Sequence, residues 1–355
     1  MRLLDCYLLF FIACATITVV WEHDGDVFRK DNSVIPTLEL KGIVDKNVLD
    51  NYRKLTTKKQ QWIPCENEFT TIDDFVFNNW LERLYLERLE NKSIIFETEL
   101  KNSKNDWEGL LFRLLCKNFG LKVNGASFYS VAKSLDFSII KKCSSDTKKL
   151  EALLFGQAGL LEEQKEDPYF ESLKLEYDYL KHKYKLSNIN VLFPKYFRLR
   201  PPNFPTIRLS QLASLYFQKQ SLFSEIVKAK TMEDFYQLFD VSASNYWNSH
   251  YNFGVASSKR KKRLTKKFID LLLINTVFPL LFSYGKALGK DNSEVLLKLA
   301  STIASEENNI IKKFNDLRIS SKNSLQSQAL LQLKNEYCTK KRCLQCAIGN
   351  AILKH

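Results

Sequence analysis

The stretch TIDDFVFNNWLERLYLERL, Thr71–Leu89, decides the fold class. Phe75, Leu81, Leu84, Tyr85 and Leu89 are read as one stripe at three- and four-residue spacing, the period of a helix with one face inward. Thr71 suits the N-cap, and Asp73 and Asp74 place carboxylates in the first turn, where the helix dipole favours them. Downstream, Asp106 opens a second helix that ends at Gly120, a residue suited to the left-handed position after a helix. Lys149–Glu162 reads as a third helix, in which Gly156 and Gly159 point to close backbone packing. Pro168 starts a fourth at a first-turn position, running to about Tyr184. After RLRPPNFP (Arg198–Pro205), whose three prolines break the pattern, further helices are expected at 208–219, 221–229, 231–240, 264–288, 292–304, 306–318 and 323–337. Pro279 should kink the apolar one. No fixed period repeats along the chain.

Composition agrees with a mainly α protein. Of 355 residues, 45% are apolar, 26% charged and 13% aromatic, the profile of a globular chain and not of a disordered or collagen-like one. With only 11 glycines and 8 prolines there are few tight turns for a many-stranded sandwich or barrel. The expected division is an apolar leader at 1–18, a β-hairpin with a short helix at 19–60, a helical domain at 61–195, and a second helical domain at 196–355 that ends in a cysteine cluster. The net charge of +13 favours an anionic partner, either nucleic acid or a lipid surface.

The start of the chain allows two readings. CYLLFFIACATITVVW (Cys6–Trp21) has sixteen residues without a charge, short for a membrane span. With Arg2 before it and Ala13-Cys14-Ala15 as a small-residue cleavage site, it fits a signal peptide, although Asp5 makes a poor flank. Alternatively, it is an irregular leader into a buried strand, with β-branched Thr16–Val20, a polar turn at Glu22–Asp26 and a second strand within Val27–Leu40. Three of the eight cysteines fall within nine residues at the C-terminus, unlike a spread disulfide framework. That use fits a reducing, cytoplasmic setting, with export as the alternative.

Several segments are individual enough to carry a resemblance. They are WIPCE (Trp62–Glu66), EALLFGQAGLL (Glu151–Leu161), FRLRPPNFPTIRLSQLA (Phe197–Ala213), YWNSHYNFG (Tyr246–Gly254), LINTVFPLLFSYGK (Leu273–Lys286) and SQALLQLKNEYCTKKRCLQCAIGN (Ser327–Asn350). In this order they resemble the domain-of-unknown-function 2851 family of uncharacterised bacterial proteins, over about residues 19–354. The resemblance implies longer relatives with an N-terminal α/β segment similar to the core of PD-(D/E)XK nucleases, in which clustered carboxylates hold a metal. Nothing in residues 1–18 matches that segment, and Glu22-His23-Asp24 falls where the family has a strand-end turn. The expectation is a chain that keeps the helical, nucleic-acid-associated part and lacks the catalytic carboxylates.

Three constellations could carry chemistry. Cys338-x4-Cys343-x2-Cys346 sets three soft ligands around Lys340, Lys341 and Arg342, and nearby cations favour the metal-binding thiolate. Zinc and iron–sulfur sites both need a fourth ligand. Cys65 is the candidate because it lies in a family-like motif, with Cys143 in reserve; the alternative is three unligated thiols packing a terminal helix. Cys116 reads as a small buried hydrophobe. The run KRKKRLTKK, Lys259–Lys267, holds seven positive charges: Lys259, Arg260, Lys261, Lys262, Arg263, Lys266 and Lys267. It is either a phosphate-binding patch or a solvated loop. Around the prolines, Arg198, Arg200 and Arg208 alternate with Phe197 and Phe204, which suits phosphate and base contacts or loop packing. His250 is a base in an aromatic setting or a hydrogen-bonded structural histidine, whereas His182 and His355 read as solvent-facing. No Walker A loop, dinucleotide fingerprint, HExxH or nucleophile elbow occurs, so no nucleotide cofactor is expected and catalytic residues stay unassigned. The alternative functions are a metal-dependent (zinc or iron–sulfur) enzyme and an exported or membrane-surface protein, with a membrane partner expected only if the apolar leader is retained.

Overall fold

Aspartates punctuate the helices. Asp106 accepts the Gly109 N–H, Asp136 that of Ser138, Asp146 that of Lys148 and Asp167 that of Phe170, so each satisfies an orphan donor of a first turn. The structure, a computed structural model, describes residues 17–57, 61–318 and 321–354. The leader up to Thr16, with Arg2, Cys6, Cys14 and its cleavage-like triplet, and His355 lie outside the described residues.

The described residues start with short strands β1 (Thr18–Val20), β2 (Val27–Phe28), β3 (Val34–Ile35) and β4 (Thr37–Glu39), followed by α1 (Lys46–Thr57) and α2 (Asp74–Asn102). Then come α3 (Trp107–Phe119), α4 (Leu121–Lys133), α5 (Phe137–Cys143), α6 (Thr147–Gln157), α7 (Pro168–Tyr184), α8 (Pro205–Gln218), α9 (Leu222–Lys228) and α10 (Met232–Leu238). A hairpin of β5 (His250–Asn252) and β6 (Val255–Ala256) precedes α11 (Lys266–Leu272), α12 (Phe278–Ala287), α13 (Ser293–Thr302), α14 (Asn309–Leu317), α15 (Ser324–Gln332) and α16 (Ala347–Lys354). The fold is mainly α with a short N-terminal strand region. β1 pairs in parallel with β4, Thr18 opposite Thr37, while β2 and β3 form the antiparallel hairpin between them. Ile17, Val19 and Leu38 are exposed, so β1 is not the buried strand that its apolar run suggests.

Packing divides the chain into two units that run across the 195/196 boundary. One holds the described residues up to Leu81 with those of 312–319 and 330–355; the other holds Glu82–Ile311 and Ser320–Ala329. The first is cored by Ile63, Phe69, Phe77 and Phe314, with Phe69 against Phe77 and Phe314 at 5.5 Å each. In the second, α3 packs on α4, and α6 on α7 and α8, around buried Phe112, Phe119, Phe128, Phe155, Phe170 and Trp247.

Several local expectations change. α2 begins at Asp74, and Asp73, not Thr71, accepts the N–H groups of Phe75 and Val76. Phe75 is 75% exposed, because six residues to Leu81 are about 600° of helical rotation and put the two on different sides. The left-handed residue at the α3–α4 junction is Leu121 (φ +53°), the first of α4, whereas Gly120 (φ −70°) is needed for space: a Cβ there would lie 2.4 Å from the Asn124 carbonyl oxygen. Pro205 sits in the first turn of α8, so only Pro201 and Pro202 lie in the intervening 3-10 turn. The Pro279 break is a π turn, Leu273–Val277, between α11 and α12. A proline has no N–H for the carbonyl four residues back, and that carbonyl, Asn275, accepts from Lys92 Nζ at 3.4 Å. The helical span Lys266–Ala287 is long and apolar enough to cross a membrane, but 67% of its most apolar window is buried in the protein.

Candidate functional site

The basic run is anchored, not a free loop. Its backbone lies antiparallel to 241–243: the Ala243 N–H donates to Lys262 O at 3.0 Å and the Leu264 N–H to Val241 O at 2.9 Å. Alternation along this extended segment turns Lys262 and Leu264 inward and leaves Lys261 and Arg263 outside. Lys262 Nζ donates to the Trp247 and Asn248 carbonyls and sits 4.1 Å from the Tyr251 ring centre. Burial, with Arg260 nearby, holds its ammonium pKa below the usual lysine value. Lys259, Arg260, Lys266 and Lys267 are exposed; Thr265 caps α11, so the last two stand in its first turn.

Lys261 and Arg263 open onto a hollow of about 670 Å³ in the second unit, with Lys148 from the start of α6 on another wall. Ser214, Ser242, Ser244 and Asn245 line it with polar groups, and Tyr169 and Tyr246 supply aromatic surface. Arg263 pairs with Asp240, and both residues also line a neighbouring hollow of about 460 Å³ that includes Tyr236 and Lys266. The two hollows therefore adjoin along the basic segment as one trough.

Behind the trough lies a network that sequence reasoning missed. Glu151, fully buried on α6, accepts from Tyr169 Oη and Ser210 Oγ, and Ser210 Oγ accepts the Ser244 N–H at 2.9 Å. Burial raises the Glu151 carboxyl pKa, with the hydroxyl donors opposing. The one available signal was a lone carboxylate inside an apolar helical run. Tyr169 stacks on Tyr246 at 4.3 Å, and Tyr246 on His250 at 4.2 Å. Tyr246 Oη donates to Asp167 at 2.6 Å, and the Gly254 N–H donates to the same carboxylate at 3.0 Å. Desolvation works to raise the Asp167 pKa, but these bonds and that from Phe170 hold it below the usual value. His250 Nδ1 lies 3.0 Å from the Tyr246 carbonyl oxygen, a stacked and backbone-bonded ring that fits the structural reading.

The proline-loop arginines separate. Arg208 is buried: it donates to Gln211 at 2.9 Å and Asn203 at 2.6 Å, and its guanidinium lies 3.6 Å from the Phe268 ring centre. Burial lowers its pKa to about 10. Arg208 braces the loop from inside. Arg198 (φ +62°), over the Phe197 ring at 5.0 Å, and Arg200 are exposed, and neither lines the trough.

In the first unit Cys65, Cys338, Cys343 and Cys346 line one small hollow with Leu55, Leu333 and Ile348. Burial raises the Cys65 thiol to about 12, and the neighbouring Cys346 and Cys343 add to the shift. The side chains are not drawn together as a finished ligand shell: among the described residues, no three His, Cys, Asp or Glu side chains are grouped to hold a metal ion. Cys143 and Cys116 are buried elsewhere, the Cys116 thiol donating to Phe128 O at 3.0 Å.

Fold and trough together define a mainly helical protein whose second unit carries a basic, polar hollow. The chain belongs to the family described as Protein of unknown function (DUF2851), which matches residues 15–309. The segment with Cys338, Cys343 and Cys346 lies beyond the matched stretch. No curated protein and no solved structure matches the chain.

Proposed function

We propose that the protein binds nucleic acid along the trough. What carries the reading is the convergence of Lys148, Lys261 and Arg263, the last paired with Asp240, on one open hollow that also offers hydroxyls, an amide and the Tyr169–Tyr246 aromatic surface. Cations neutralise phosphates, hydroxyl and amide groups bond phosphate and sugar oxygens, and aromatic faces stack bases. Lys259, Arg260, Lys266 and Lys267 extend the positive surface, and Arg198 and Arg200 would add contacts beside the loop. Arg208 and Lys262 contribute by holding the walls. The reading assigns binding and no reaction, and it sets the protein in the cytoplasm, where nucleic acid and reduced thiols coexist.

The test is fluorescence anisotropy of the full chain with labelled single- and double-stranded DNA and RNA over a salt series. Tight binding with a steep negative salt slope is expected. Neutralising Lys148, Lys261, Arg263 and Lys266 together should flatten the slope by about 3, at roughly 0.7–0.9 for each phosphate no longer neutralised. No binding at low salt, or an unchanged slope in a variant with native circular dichroism, would remove nucleic acid as the partner. Binding instead to anionic vesicles would make the trough a lipid-surface site.

A further inference from the structure

The structure assigns to Cys65, Cys338, Cys343 and Cys346 a second site, independent of the trough: a four-thiolate site for a single zinc ion that ties the N-terminal and C-terminal parts of the first unit together. The four cysteines come from separate elements yet line the same hollow. Cys65 lies in the turn after Trp62, and Cys338 ends the π turn Leu333–Cys338. Cys343 opens a 3-10 turn, and Cys346 directly precedes α16.

The backbone is shaped to bring the last three together. Thr339 N–H donates to Lys334 O at 2.8 Å and Arg342 N–H to Tyr337 O at 2.9 Å, and Lys341 takes φ +52°, so the chain doubles back and returns Cys343 toward Cys338. Gly349 lets the Cys343 backbone approach, since a Cβ would lie 2.1 Å from the Cys343 carbonyl oxygen. Lys334 donates to Trp62 O at 2.6 Å, joining the Cys65 segment to the Cys338 segment.

Size and charge select the ion. The free space among the cysteines is about 10 Å³, the scale of one atom, which suits a single ion better than a multi-atom iron–sulfur cluster. Sulfur ligands in a tetrahedral set of four suit zinc. On binding, four S–H protons leave and four Zn–S bonds form, giving a centre of net charge −2. Lys334 beside Cys338 and Lys341 beside Cys343 offset that charge.

Metal analysis of the full chain purified under reducing conditions tests this, with about one zinc per chain expected. Cobalt(II) added to the stripped protein should give the visible bands and sulfur-to-metal charge transfer of a tetrahedral thiolate site. C343S and C346S should each lose at least about tenfold in zinc affinity, measured by chelator competition, while C116S and C143S retain it. G349A should weaken binding without removing a ligand. Absence of zinc together with no cobalt spectrum would overturn the site, as would unchanged affinity in both C343S and C346S. Stoichiometric iron and sulfide would overturn the single-ion assignment. The cobalt titration of the unmutated chain decides even if a variant does not fold, and none of these readouts depends on nucleic-acid binding.

Discussion

At the scale of single residues, the second unit depends on close approaches and on one buried acid. Gly156 faces the Tyr177 ring so closely that a Cβ would lie 2.1 Å from it, while Tyr177 Oη donates to Gln157 at 3.0 Å. G156A should cost about 1–3 kcal/mol by overpacking, seen as a lower urea midpoint with an unchanged m-value. Glu151 gives a pH signature. Its carboxyl pKa is raised by burial above the ordinary 4.5, so the fold favours the protonated form. Stability from this group is full below 4.5, declines as pH rises through the raised folded value, and is constant above it. E151Q cannot ionise and should flatten the stability–pH curve in that window; an unchanged curve would place the pH dependence elsewhere. Glu151 stood out only as an acid in an apolar run, because its partners Tyr169 and Ser210 are 18 and 59 residues away.

At the scale of elements, caps were legible and phases were less so. Asp106 was readable as a start signal because capping is local, and D106A should cost about 1 kcal/mol by leaving the Gly109 N–H without its carboxylate. Comparing thermal unfolding of D106A and D106N checks this, since asparagine caps nearly as well as aspartate. The Thr71–Leu89 stripe fixed a helix but misassigned Phe75, which only the packing of α2 could resolve. The basic run shows the same limit: its charge was plain, but its pairing with 241–243 is long-range. That pairing turned Lys262 inward and Lys261 outward.

At the scale of the whole molecule, the question is whether +13 acts as a diffuse field or through a place. Lys122, Lys228, Lys230 and Lys290 are exposed lysines of the second unit that do not line the trough. Neutralising these four changes net charge as much as neutralising Lys148, Lys261, Arg263 and Lys266, which line it. If the trough is the site, the first set should leave most of the affinity and the second should remove most of it, in the same anisotropy assay. Equal losses would mean that net charge alone attracts the ligand.

The sequence by itself determined the helical class, most helix starts, the basic run and the terminal cysteine triplet. These follow from periodicity, capping and composition, which act over a few residues. Tertiary structure decided what those residues face. It buried Arg208 and Lys262, assembled the Glu151 network, paired β1 in parallel with β4, and set Cys65 beside a segment more than 270 residues away. Such placements depend on which apolar faces bury together, and no local pattern records that choice.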